Sequence, residues 1–205
     1  TAVGPGLNNT VDSLAVMDGK LYVGGTFDDT FGGVGDERCE WDDTASGVLW
    51  TSQASASDDS WTSVTWGEPT TGAPPVFVAV ASGGDDTRVM TSTNGVSWSL
   101  PAGSVPVNAW QSVTFGTGSG GGTFVAVGSS GDDSQVMTSP DGVTWTARQA
   151  TSDDSWSSVL YAFPPAPSQP VFVAVASSGD DSQVMTSPDG FTWTARKAAV
   201  NRAWQ

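Results

Sequence analysis

One feature restricts this chain more than any other: it repeats itself with a period close to 48 residues. Tryptophans that open each unit stand at Trp61, Trp110, Trp156 and Trp204, spaced by 49, 46 and 48 residues. A second series, Trp50, Trp98, Trp145 and Trp193, is spaced by 48, 47 and 48. The run Ser129 to Gly142, SSGDDSQVMTSPDG, recurs without change at Ser177 to Gly190, which points to recent duplication. A fixed period in this range decides the fold question before any secondary structure is assigned, because each unit must bury its apolar face on a neighbour.

Within a unit, apolar residues alternate over four to six positions and are interrupted by Gly, Pro, Asp and Ser clusters, the pattern of short strands and hairpins. The third unit predicts four strands: Trp110 to Phe115, Thr123 to Gly128, Gln135 to Thr138 and Val143 to Ala147. The divergent first unit fits the same frame, with strands near Val11 to Met17, Lys20 to Gly24, Arg38 to Trp41 and Val48 to Thr51. No stretch carries helical periodicity with caps.

The third and fourth strands are joined by a legible turn. In Ser139-Pro140-Asp141-Gly142, proline presets φ, aspartate suits the next position, and glycine supplies the left-handed residue that closes a bulged hairpin. Ser187-Pro188-Asp189-Gly190 repeats it, and Ser92-Thr93-Asn94-Gly95 is a milder variant. A strand with a tryptophan comes after each turn, and its two-residue period puts Val143 and Trp145 on one face and both flanking threonines on the other.

A four-stranded sheet of this size is marginal alone, so neighbouring copies must cover each other. Four strands per unit at this period is the arithmetic of a β-propeller, in which large apolar side chains fill the space between blades. The fold expected is therefore all-β, a propeller of four-stranded antiparallel blades over residues 1 to 205, with blades near 11–60, 61–109, 110–155 and 156–203. Trp61, Trp98, Trp110, Trp145, Trp156 and Trp193 are assigned to the interblade spaces. A β-solenoid is the runner-up, though its coils are usually shorter. Both ends read as cut, since Asn201 to Gln205 repeats the head of a unit as in Asn108-Ala109-Trp110-Gln111. The expectation is a segment of a longer chain with about six to eight blades.

Two resemblances attach to these residues. Ser139-Pro140-Asp141-Gly142-Val143-Thr144-Trp145 resembles a shortened Asp-box, the Ser-x-Asp-x-Gly-x-Thr-Trp motif of sialidase-like and related β-propellers, with the match covering residues 61 to 205. In that family the motif is structural and peripheral, which implies a structural part for Trp98, Asp141, Gly142, Trp145, Asp189, Gly190 and Trp193. The stretch Gly19 to Phe27, GKLYVGGTF, with Gly32-Gly33 and Glu40-Trp41-Asp42, is similar to the kelch-like repeats of bacterial and phage surface proteins.

The Asp-box invites a test for sialidase chemistry. The resemblance would require three arginines on the substrate carboxylate, a Tyr/Glu nucleophile pair and an acidic proton donor. Of Arg38, Arg88, Arg148, Arg196 and Arg202, Arg148 and Arg196 keep to the repeat and do not mark a site. The phenol could come only from Tyr22 or Tyr161, and the glutamates are Glu37, Glu40 and Glu68. With no histidine in the chain, the commonest general base is missing. The reading is noncatalytic.

Charge and cysteine content remove further classes. A formal charge of -15 repels nucleic acid and anionic membrane. No apolar run approaches the roughly 20 residues that cross a bilayer, so no membrane insertion is expected from this segment. Residues 1 to 20 lack the charged start and apolar stretch of a signal peptide. Cys39, the one cysteine, can form no internal disulfide and reads as a small strand residue.

The remaining candidates are weak by their chemistry. Asp85-Asp86, Asp132-Asp133 and Asp180-Asp181 occupy matching loops between second and third strands, where carboxylates suit a hard cation such as calcium. Gly-Asp-Asp reads more simply as a solvated hairpin turn that keeps an edge from pairing, since the EF-hand spacing is absent. Asp58-Asp59 and Asp153-Asp154 read as turn or interblade residues. Trp41 and Trp66 are the candidates for glycan stacking, because the other units lack tryptophan there. The Pro-rich stretches Ala73 to Pro75 and Phe163 to Pro170 mark loops of variable length, where a propeller carries recognition.

The functional expectation is a noncatalytic extracellular or virion-surface module for structure, display or adhesion, with other protein subunits or cell-surface glycans as partners and no cofactor. A sialidase-like, glycoside-active enzyme and a calcium-stabilised scaffold are the alternatives.

Overall fold

The computed structural model describes residues 11–17, 20–25, 52–69, 74–84, 87–118, 121–130, 134–179 and 183–198. These form antiparallel sheets joined in sequence order, with no helix among the described residues. Sheet 1 pairs β1 (Val11–Met17) with β2 (Lys20–Gly25). Sheet 2 contains β3 (Trp61–Gly67), β4 (Val76–Ala81) and β5 (Val89–Ser92). Sheet 3 has four strands, β6 (Trp110–Gly118), β7 (Gly121–Gly128), β8 (Val136–Ser139) and β9 (Thr146–Arg148). Sheet 4 has the same order in β10 (Trp156–Ala162), β11 (Val171–Ala176), β12 (Val184–Ser187) and β13 (Thr194–Arg196). Both strands that the sequence predicts for residues 11 to 24 are present; those at Arg38 to Trp41 and Val48 to Thr51 lie outside the described residues.

The register repeats as faithfully as the sequence. Each first strand carries a bulge directly after its opening residue, between Val11 and Ser13, Trp61 and Ser63, Trp110 and Ser112, and Trp156 and Ser158. One extra residue there bends and twists the strand, and it re-aims the opening side chain relative to the rest of the strand.

Two details correct the sequence reading. Sheet 2 has three strands and not four, its fourth reduced to a single bridge between Thr91 and Ser99. The cause is local: Pro101 stands where Arg148 and Arg196 stand in the next units, and proline has no N–H for the ladder. The fourth strands of sheets 3 and 4 begin at Thr146 and Thr194, after the tryptophan, so Val143 and Trp145 do not share a strand face. Trp145 is 6% exposed while Val143 is 39% exposed. Val96 and Phe191, at the same position, are exposed too.

Sheets stack face on face. Val76, Val78 and Val80 of β4 with Val89 of β5 pack on Trp110, Val113, Phe124, Ala126, Met137 and Trp145 of the next unit. The opposite face of sheet 3, Val125, Val127 and Val136, packs on Trp156, Val159, Phe172, Ala174, Ala176 and Met185, with Tyr161 and Trp193 alongside. Successive residues of one central strand thus serve two different interfaces, the direct consequence of the two-residue side-chain period. The first strands lie beside one another, β1 by β3, β3 by β6 and β6 by β10.

Candidate functional site

Chemistry-bearing side chains in the described residues gather at the joints between units, and the joints of sheet 2 with sheet 3 and of sheet 3 with sheet 4 have three parts: an indole seat, a turn braced by a carboxylate, and hydroxyl links between first strands.

The indole seat comes from the opening tryptophan. Trp110 and Trp156 are fully buried, and each ring N–H donates to the carbonyl four residues earlier, Trp110 Nε1 to Pro106 O at 3.0 Å and Trp156 Nε1 to Ser152 O at 3.3 Å. Trp61 Nε1 donates likewise to Ser57 O at 3.3 Å. An indole offers a large apolar area with one donor, and satisfying that donor locally lets the whole ring be buried. Tight backbone supplies room: a Cβ on Gly67 would lie 2.4 Å from the Phe115 ring of the next sheet, and one on Gly116 would lie 2.5 Å from Phe172 and Tyr161.

The turn is built by Ser139 and Asp141. Ser139 Oγ accepts from the amides of Asp141 (3.3 Å) and Gly142 (2.8 Å) and donates to Asp141 Oδ1 (3.0 Å). Asp141 Oδ1 accepts from the amides of Val143 (2.8 Å) and Thr144 (2.7 Å), and Oδ2 accepts from Thr144 Oγ1 (3.1 Å). Those amides are spent on the carboxylate, which is why the strand starts only after Trp145. Trp145 Nε1 closes the loop on Gly142 O at 3.0 Å. Ser187, Asp189, Gly190, Phe191, Thr192 and Trp193 repeat the arrangement, with Trp193 Nε1 to Gly190 O at 3.1 Å. In sheet 2 the amide Asn94 takes the aspartate's place, its Oδ1 accepting from Val96 and Ser97 at 2.9 Å each.

Burial raises the Asp141 carboxyl, but hydrogen bonds from Thr144, Val143 and Ser139 outweigh it and hold the pKa below 3.8. Asp189 is lowered in the same way, with burial opposing and the Thr192, Phe191 and Ser187 bonds prevailing. The carboxylates therefore act as anionic acceptors that fix backbone, not as proton donors.

The turn also touches the preceding unit. Gly142 has φ of 78°, and a Cβ there would lie 2.9 Å from Val78 Cγ2 and 3.2 Å from Val76 Cγ1. Gly190, with φ of 80°, would meet Val125 Cγ2 at 2.7 Å. Phe191 of the same turn lies under the Arg148 guanidinium of sheet 3, 4.8 Å from its ring centroid, a cation–π contact. Arg148 Nε donates in turn to Thr138 Oγ1 at 3.0 Å.

Hydroxyl links are the part that sequence reasoning missed. Ser63 Oγ accepts from Val113 N across the sheet 2 to sheet 3 joint at 3.1 Å, and Ser112 Oγ accepts from Val159 N across the next at 3.2 Å. Thr62 Oγ1 donates to Trp110 O at 2.9 Å. The signal was present: serine stands two residues after the opening position in all four units, at Ser13, Ser63, Ser112 and Ser158. Loop contacts add to these links, with Arg88 Nη1 donating to Asn108 O at 2.7 Å and Gln135 Nε2 to Asp153 Oδ1 at 3.0 Å.

The sequence candidates for ligand binding fall elsewhere. Trp66 is half-buried at the end of β3, opposite Phe77, the position taken by Phe115 opposite Phe124 and Tyr161 opposite Phe172. Those pairs pack at 4.7 and 4.6 Å between centroids, so Trp66 occupies an aromatic position common to three units. Trp41, Cys39 and the pairs Asp85-Asp86, Asp132-Asp133 and Asp180-Asp181 lie outside the described residues. Asp59 and Asp154 form interunit turns, accepting from Ser57 Oγ at 2.6 Å and Ser152 Oγ at 2.7 Å. The described residues contain no group of three or more acidic or cysteine side chains placed to hold a metal. They also contain no helix long and apolar enough to cross a membrane.

The chain matches no protein-family model, and no curated protein or solved structure is significantly similar to it.

Proposed function

We propose that this chain is a β-propeller, or a length of one, that acts without catalysis as a structural, display or adhesion module on a cell or virion surface. One observation carries the reading: Asp141 and Asp189 brace the turns whose Gly142, Trp145, Gly190 and Trp193 pack against a neighbouring sheet. First strands that neighbour one another, with fourth strands at the opposite edge of sheets 3 and 4, suit blades set around an axis. The acidic surface and the likeness to repeats of bacterial and phage surface proteins favour an exposed setting, with other subunits or glycans as partners.

The test pairs binding with turnover. The purified chain is applied to a glycan array and to a panel of labelled glycosides, and its outline is measured by small-angle scattering. Retention on surface glycans without hydrolysis, together with a disc-like outline, is expected. Hydrolysis that a single carboxylate substitution abolishes would replace the reading with a glycoside-active enzyme, and a rod-like outline would remove the propeller.

A further inference from the structure

The repeat shows what covers sheets 2 and 3, and it thereby identifies the partner of a face that the described residues leave half-buried. In sheets 2 and 3 the receiving faces are Val78, Val80, Val89 and Val125, Val127, Val136, every one of them fully buried by the next unit. Sheet 4 presents the same residues in the same register, Val173, Val175 and Val184, and these are only half-buried. Leu160 of β10, the cross-strand partner of Val173, is 51% exposed. Polar parts of the joint recur as well. Ser158 matches Ser63 and Ser112, whose hydroxyls accept a first-strand amide from the following sheet. Arg196 matches Arg148; it donates Nε to Thr186 Oγ1 at 2.9 Å and is exposed, whereas Arg148 covers Phe191 of the next turn.

We infer that the Val173/Val175/Val184 face of sheet 4 is a docking surface for a further sheet of this same repeat, seated by its opening tryptophan. The occupant brings an indole and a second-strand aromatic for the valines, an amide for Ser158, and an apolar turn residue for Arg196. Trp204 stands 48 residues after Trp156, so a unit attached there arrives in the register that seats Trp156 on sheet 3. Ala162 replaces the glycine of Gly67 and Gly116, as Met17 does in sheet 1, whose first strand still adjoins β3. The inference rests on sheet stacking alone and not on the proposed surface role.

The full chain lengthened after Gln205 by a second copy of residues 112–155 tests it, since Trp204-Gln205 repeats Trp110-Gln111. In the lengthened chain Val175→Asp should lower Tm on the order of 10 °C, as Val127→Asp should in either chain, because the carboxylate is buried unpaired. In the original chain Val175→Asp should shift Tm by only a few degrees. Hydrogen exchange should show the appended strands protected. Equal Val175→Asp shifts in the two chains, or an appended segment that exchanges without protection, would overturn the docking surface.

Discussion

Substituting Gly142 by alanine tests how the turn and the sheet interface depend on each other. The residue has φ of 78°, where an L side chain costs roughly 1–2 kcal/mol. Its new methyl would lie 2.9 Å from Val78 Cγ2 and 3.2 Å from Val76 Cγ1, inside van der Waals contact, and overpacking of this kind costs about 1–3 kcal/mol. Gly142→Ala should therefore destabilise by about 2–5 kcal/mol, read by urea denaturation. Val78→Ala removes the methyl that is struck, so the double variant should be less destabilised than the sum by about 1–2 kcal/mol. Gly103→Ala is the control: its Cβ would meet nothing closer than 3.7 Å, and a change within about 0.5 kcal/mol is expected. A neutral Gly142→Ala, or strict additivity with Val78→Ala, would refute the claim that the turn presses on the preceding sheet.

The same joints set further expectations. Asp141→Asn should cost less than Asp141→Ala, because Asn94 makes the same Oδ1 bonds, and Asp141→Ala should cost about 1 kcal/mol by thermal denaturation; equal losses would discount the acceptor geometry. Both folded-state carboxyls sit below 3.8, so their contribution is present above that pH and is lost as pH falls through the depressed values. The Asp141→Asn, Asp189→Asn double variant should accordingly show a flatter acid limb of stability against pH, and an unchanged limb would count against it. Ser112→Ala leaves the Val159 amide without its acceptor and should cost about 1–2 kcal/mol, with faster exchange at that amide as the direct readout. Trp156→Ala should cost about 3–5 kcal/mol, while Trp98→Ala, at a half-buried ring, should cost visibly less in the same assay.

The sequence carried the fold well wherever one unit could be read against another. Period, strand order and the burial of Trp110, Trp145 and Trp156 come from the repeat, because a small sheet cannot hide its own indoles, whereas Trp61, Trp98 and Trp193, expected in the same spaces, are half-buried. What escaped was set by local competition. The two-residue period over Val143 to Trp145 suggested a strand, but Asp141 captures both succeeding amides, so those residues stay in the turn. Pro101 was visible in the sequence, yet its effect on sheet 2 shows only when aligned with Arg148 and Arg196. The hydroxyl links were hidden because serine is common in this chain and one hydroxyl signals nothing until the bulge that aims it is seen. Ligand candidates were legible only as residue types, and Trp66 lost its distinction once Phe115 and Tyr161 were found at the same place.

The central claim is that consecutive sheets press face to face through their turns, and nuclear Overhauser contacts report this most directly. Cross-peaks from Gly142 Hα to a Val78 methyl, and from Gly190 Hα to a Val125 methyl, join residues 64 and 65 positions apart that meet only through stacking. Strong cross-peaks for both pairs, with slowly exchanging indole protons at Trp110 and Trp156, are predicted. Missing cross-peaks in a folded sample, with indole protons exchanging at solvent rates, would contradict it.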